Sequence, residues 1–124
     1  MPALARPILM TAIALSGLLA ACSTSSAACD GASVQLEATI ANRTMDPSTL
    51  TVCRDQNVTL VITSDEKGVV HVHGYDDLVP PAEITAGDPL TLTFSAKHVG
   101  QFIVAFHAGD GTEVDVGVLT VNVP

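Results

Sequence analysis

From Ser33 onward, apolar and polar residues alternate with a period of two, which is typical of half-buried β-strands. Val, Ile, Leu and Thr form short alternating runs, and Gly, Pro, Asp and Asn separate these runs about every 8 to 12 residues. We read "MDPS" (45–48) as a turn and "PPAEITAGDP" (80–89) as an irregular connection. No later stretch keeps a helical apolar period, so the pattern predicts an all-β sandwich or barrel. About seven strands are expected, beginning near Val34, Leu50, Val58, Val69, Leu90, Gln101 and Val116.

The first residues have a different character from this β-region. One positive charge, at Arg6, precedes the uncharged apolar run Ile8–Ala21, which is shorter than the roughly 20 residues of a membrane-spanning helix. Such a run is typical of a secretory signal. It ends in Leu19-Ala20-Ala21-Cys22, which resembles the bacterial lipobox, whose cysteine becomes lipid-modified; a plain signal peptide with a chance cysteine is the alternative. The expected organisation is a lipoprotein signal peptide at 1–21, a lipidated tether at 22–31 and one domain at 32–124.

The acidic charge balance restricts the partners of the chain. It has 5 basic and 13 acidic residues, and loss of residues 1–21 removes one Arg, which leaves a formal charge of −9. Such a domain repels nucleic acid and gains nothing from anionic lipid headgroups. Acyl chains on Cys22, palmitate among them, would therefore supply the attachment. We expect a cell-membrane protein, lipid-anchored on the extracytoplasmic face, whose one predicted partner is the membrane; a protein partner is unknown.

Lipidation of Cys22 would leave two cysteines, Cys29 and Cys53. Outside the cytoplasm an even pair is expected to oxidise, so a Cys29–Cys53 disulfide is predicted. Two free thiols are the alternative. The disulfide would leave no thiolate for a metal ion.

Three histidines are candidate metal ligands. In "GVVHVHGYDDL" (68–78), His71 and His73 lie two residues apart, and strand geometry therefore places both on one face, about 6 to 7 Å apart. Neutral imidazole binds copper, zinc and nickel. His107, at the end of "QFIVAFH", is a plausible third ligand, whereas His98 precedes the other end of that strand and is expected at the surface. A solvated histidine pair is the alternative interpretation.

Nearby carboxylates are weaker signals. Asp76 and Asp77 could contact an imidazole or bind a metal, or could form a solvated turn. Asp110, Glu113 and Asp115 lie in "GDGTEVDVG", which lacks the spacing of a calcium loop and predicts a hairpin-like turn. The chain has no nucleophile elbow and no glycine-rich phosphate loop, so we expect it not to be an enzyme.

The order of four segments resembles the cupredoxin family. These segments are "LTVCRDQNVTLVIT", "HVHGYD", "AGDPLTLTFSAKHVGQFIVAFH" and "VGVLTVNVP", and they look most similar to cupredoxin-like domains with an HxHGYD segment in bacterial exported proteins. The resemblance covers about Met45 to Pro124. It implies a Greek-key β-sandwich of two sheets, in which the strand with the histidine pair and the strand ending at His107 lie close at the end where copper binds.

The chain departs from the family at two ligand positions. A blue-copper site uses two His, one Cys and usually a weak axial Met. Where the cysteine is expected, this chain has Phe106 followed by His107, and near the expected methionine it reads Val116-Gly117. The resemblance thus implies a copper site without blue-copper electron transfer, through His71, His73 and His107. The alternative is a metal-free structural or partner-binding module on the cell envelope.

Overall fold

The computed structural model describes residues 29–124. The predicted signal peptide at 1–21, the predicted lipidation site at Cys22 and the first part of the tether lie outside the described residues. Within 29–124 the secondary structure consists of strands and turns without a helix, so this part of the chain contains no helix that could cross a membrane.

Nine strands form the described domain. Seven correspond to the runs that alternation predicts, and the other two have three residues each. One of the short strands overlaps the segment expected to be a turn, and the other lies in the expected irregular connection. The strands are β1 (Ser33–Ala41), β2 (Thr44–Asp46), β3 (Thr49–Cys53), β4 (Asn57–Ser64), β5 (Gly68–Val72), β6 (Ala82–Ile84), β7 (Leu90–Ser95), β8 (Gly100–Ala108) and β9 (Glu113–Asn122).

These strands form two sheets with the orders β2-β1-β4-β7 and β3-β9-β8-β5-β6. Strand β1 runs parallel to β4, and β3 runs parallel to β9. The other pairs are antiparallel. The inner faces of both sheets contribute to one apolar core, so the predicted all-β sandwich is confirmed.

The core is mainly aliphatic because the inward positions of the alternating runs carry Val, Ile and Leu. In β4 every second residue from Val58 to Ser64 is buried, as the period of two predicts. Ile62 of one sheet and Val104 of the other are almost completely buried, and Tyr75 and Phe106 are the largest fully buried side chains of the described domain. Complete burial of each such side chain contributes roughly 1.5–3 kcal/mol.

A disulfide joins Cys29 to Cys53, as the sequence predicts. The two Cα atoms are 5.5 Å apart, within the range that a disulfide can bridge. Gln56 reinforces this connection, because its Oε1 accepts a hydrogen bond from the Cys53 N–H (2.8 Å) and its Nε2 donates one to the Gly31 carbonyl (2.8 Å). The first described residues are thereby attached to the end of β3.

Candidate metal site

Strand pairing brings His71 and His107 to the outer face of the five-stranded sheet. Strand β5 is antiparallel to β8, with Val69 opposite His107 and His71 opposite Ala105. Val70 and Val72 point into the core, so His71 points outward. His73 lies one residue beyond β5, and its backbone N–H donates to the Ile103 carbonyl of β8 at 2.9 Å. The sheet therefore continues to hold the chain in place at His73.

The three imidazole rings form one cluster. The ring centroids of His71 and His73 are 4.4 Å apart, and those of His71 and His107 are 5.7 Å apart. His71 is the central ring and the least exposed, with 19% of its side chain accessible, against 44% for His73 and 38% for His107. The structure thus brings together all three histidines that the sequence singles out, on a solvent-facing surface.

Two carboxylates contact the cluster. Nε2 of His71 faces Oδ1 of Asp76. Glu113 reaches two rings at once, since its Oε1 is 3.3 Å from Nε2 of His73 and its Oε2 is 3.4 Å from Nε2 of His107. The hydrogen bond from His71 is the main reason that the pKa of Asp76 lies below its ordinary value. Every Nε2 atom of the cluster is therefore close to a carboxylate oxygen.

The turn that follows His73 is fixed by a buried tyrosine. Gly74 has a φ of +82°, a left-handed conformation that glycine adopts without strain. Tyr75 is completely buried; its hydroxyl donates to the His98 carbonyl (2.7 Å) and accepts from the His98 N–H (3.0 Å). Its ring packs edge-on against Phe102, and burial raises the pKa of its hydroxyl. This anchor fixes the backbone from which Asp76 reaches His71.

His98 belongs to a separate pair. Its Nε2 is 3.1 Å from Oδ2 of Asp77, and its ring contacts Tyr75 at a centroid distance of 5.1 Å. Within the described residues its ring contacts none of the three clustered rings. The sequence-based expectation that His98 lies at the surface agrees with the 43% exposure of its side chain. Asp76 thus contacts His71, whereas Asp77 contacts His98.

The donor atoms of this site do not suit blue copper. Cys29 and Cys53 are joined to each other, so residues 29–124 contain no cysteine thiolate. Phe106, at the position expected for the cysteine, is buried in the core, and Met45 is 1% exposed inside the sandwich. The available donors are imidazole nitrogens and carboxylate oxygens, the types that Cu(II) and Zn(II) accept. With the side-chain conformations that residues 29–124 have in this structure, no three or more His, Cys, Asp or Glu side chains lie close enough together to hold a metal ion.

Glu113 belongs to this cluster although the sequence pattern did not indicate it as a site residue. Its position in "GDGTEVDVG" predicted a hairpin-like turn, together with Asp110 and Asp115. The structure confirms the hairpin, and its register places Glu113 directly opposite His107. The turn residues "AGDGT" (108–112) could have predicted this pairing, because residues equally far from the centre of a hairpin lie opposite each other, as His107 and Glu113 do.

The fold, with its two mixed sheets, is cupredoxin-like, as comparison with solved structures shows. Solved structures with a similar fold include three proteins. The blue copper oxidase of Nitrosomonas europaea has a TM-score of 0.56 and 18% identity over 73% of this chain and 39% of its own. Auracyanin of Roseiflexus castenholzii has a TM-score of 0.54 and 21% identity over 73% and 98%. The copper nitrite reductase of N. europaea has a TM-score of 0.53 and 16% identity over 73% and 42%.

These similarities concern the fold. This chain spans about two fifths of the length of the multicopper and blue copper oxidase chains that it matches. No family model and no curated protein matches the sequence. The match to auracyanin, in contrast, covers almost all of that chain.

Proposed function

We propose that this chain is a lipid-anchored, extracytoplasmic cupredoxin-like module that binds one Cu(II) ion at the cluster of His71, His73 and His107. The observation that carries this proposal is the proximity of three imidazole rings, with centroids 4.4 Å apart for His71 and His73 and 5.7 Å apart for His71 and His107. Imidazole is a strong donor to Cu(II). The excess of acidic residues also favours cations at the surface.

The protein residues have separable roles in this proposal. The three imidazoles would supply nitrogen donors, and Asp76 would orient the His71 ring through Nε2. His73 and His107 are more than one third exposed, so their rings can rotate toward a metal ion at little packing cost. Bound copper would add a Lewis-acidic cation to the surface. Without a thiolate ligand we propose neither blue-copper electron transfer nor an enzymatic reaction.

The test is titration of the purified protein with Cu(II) by isothermal calorimetry. One Cu(II) per chain is expected for the wild type, with His71→Ala and His107→Ala each lowering affinity at least about tenfold, the usual size of a lost metal-site interaction. His98→Ala is the matched control, because it removes an exposed, carboxylate-paired imidazole outside the cluster. Unchanged affinity in both cluster variants would reject the site, and circular dichroism would establish that each variant is folded.

A second candidate function is a metal-free structural or partner-binding module. The observation that favours it is that every Nε2 of the cluster already faces a carboxylate and that the rotamers of residues 29–124 form no metal-holding set. A wild-type protein that binds neither Cu(II) nor Zn(II) in the titration would select this alternative.

The membrane attachment in the proposal depends on Cys22. Its position after "LAA" and before the small polar residues 23–28 supports lipidation after removal of residues 1–21. We expect the wild-type chain in the membrane fraction and Cys22→Ser in the soluble fraction or retained as an unprocessed precursor. A mature, processed Cys22→Ser protein that remains in the membrane would contradict lipid anchoring.

A further inference from the structure

Glu113 occupies the position between two of the clustered rings. Its two carboxylate oxygens contact different imidazoles, with Oε1 3.3 Å from Nε2 of His73 and Oε2 3.4 Å from Nε2 of His107. These two imidazoles are its only ion-pair partners among residues 29–124. The carboxylate is thus directed at the ring nitrogens and is not engaged by a lysine or an arginine in the described domain.

The backbone holds Glu113 in this position. It is the first residue of β9 and lies directly opposite His107 in the β8–β9 pairing. The connecting turn is closed by a hydrogen bond from the Ala108 N–H to the Thr112 carbonyl (2.8 Å). Gly111, with a φ of +88°, supplies the left-handed residue that the turn requires. The strand register therefore fixes the Cα of Glu113 opposite His107, a position from which its carboxylate contacts His73 and His107.

The side chain retains freedom to change its contacts. With 45% of the Glu113 side chain exposed, a small rotation can move either oxygen without disturbing the core. A metal ion that approaches Nε2 of His73 or His107 must enter the space that this carboxylate now contacts. The carboxylate must then either leave or bind the ion, and binding keeps its negative charge next to the cation.

We propose that Glu113 is itself a metal ligand, so that the site is a set of three imidazoles and one carboxylate selective for divalent copper or zinc over Cu(I). This inference rests on the proposed function. An anionic oxygen favours the divalent ion, whereas Cu(I) prefers soft sulfur donors. Sulfur is not accessible in the described domain, because both cysteines are in the disulfide and Met45 is buried.

The experiment compares Glu113→Gln with Asp115→Asn in the purified protein. Both substitutions remove one negative charge from exposed positions of β9, two residues apart, and only Glu113 contacts imidazoles. Cu(II) affinity is measured by calorimetry, and Cu(I) affinity by competition with a chromophoric Cu(I) chelator under reducing conditions. Glu113→Gln should weaken Cu(II) binding at least about tenfold and change Cu(I) binding less than about twofold, while Asp115→Asn leaves both nearly unchanged.

Electron paramagnetic resonance of the Cu(II) forms adds an independent readout. Loss of an anionic ligand should change the parallel hyperfine splitting in Glu113→Gln and not in Asp115→Asn. If the wild type binds Cu(II) and Glu113→Gln binds it equally well with the same spectrum, the ligand role of Glu113 is rejected while the histidine site stands. Equal weakening by both substitutions also rejects it, because the effect is then one of net charge. A wild type that binds no Cu(II) rejects both the site and its fourth ligand.

Discussion

Gly117 lies where β9 passes close to the segment that follows β2. A Cβ atom built at this position would collide with Cε of Met45 and would lie 2.8 Å from the carbonyl oxygen of Ser48. The Met45 side chain therefore fills the space that a larger residue at 117 would need. The sequence reading "VG" near the expected methionine thus has a packing explanation, because Gly117 accommodates the buried thioether of Met45.

We predict that Gly117→Ala destabilises the domain by about 1–3 kcal/mol, the usual cost of forcing extra atoms into a packed site. Gly109→Ala is the matched control, because a Cβ there would have no atom within 4 Å. Urea unfolding of both variants measures the difference. Equal midpoints for Gly117→Ala and Gly109→Ala would contradict the prediction.

At the scale of elements, one arginine connects three turns. Arg43 follows β1, and its guanidinium pairs with Glu66 in the β4–β5 turn (Nε to Oε1, 3.1 Å) and with Asp110 in the β8–β9 turn (Nη2 to Oδ2, 3.0 Å). Asp110 also accepts a hydrogen bond from the Thr112 N–H at 2.9 Å. These contacts lower the pKa of Asp110 to about 2, with Thr112 as the largest cause and Arg43 next.

The sign of the resulting pH dependence follows from this lowered pKa. The folded protein holds Asp110 ionised more strongly than the unfolded chain, whose value is near 3.8, so its stabilisation is complete above about pH 4. The stabilisation is lost as the pH falls toward about 2. Asp110→Asn should therefore be less stable than the wild type at pH 7, and the difference should shrink between pH 4 and pH 2. A constant difference across urea unfolding curves at pH 7, 4 and 2 would disprove this assignment.

Alternation predicts the long strands because each buries one face, and five or more residues are enough to show the period of two. It does not predict β2 and β6, since three residues are too few to show a period. Both short strands exist because a neighbouring strand, β1 or β5, supplies their hydrogen bonds. Each partner is the preceding strand in the sequence, but a run of three residues does not itself show that it will pair with that strand.

The same distinction applies to the candidate site. The shared face of His71 and His73 follows from their spacing alone. The position of His107 beside them depends on the register between β5 and β8, which only the resemblance to cupredoxins suggested. The pairing of Glu113 with His107 could have been predicted from the hairpin between β8 and β9. It was not predicted because a carboxylate beside a glycine-rich turn is more often solvated.

At the scale of the described domain, the disulfide constrains the unfolded chain by closing a loop. Cys29 and Cys53 are 24 positions apart, and closing such a loop stabilises a fold by about 3 kcal/mol in the chain-entropy model. We predict that Cys29→Ala lowers the free energy of unfolding by this amount. Reduction of the wild type should have the same effect, and adding reductant to Cys29→Ala should have none. Coincident unfolding curves for oxidised and reduced wild type would contradict it.

Strand β3 lies at the edge of the larger sheet, and its one strand partner in the described domain is β9, the last of the nine described strands. Sixty positions separate the end of β3 at Cys53 from the start of β9 at Glu113. During synthesis, β3 has no strand partner until β9 has been made. Such distant pairing also slows folding. The larger sheet is therefore complete only after β9 has been made and has paired with both β3 and β8.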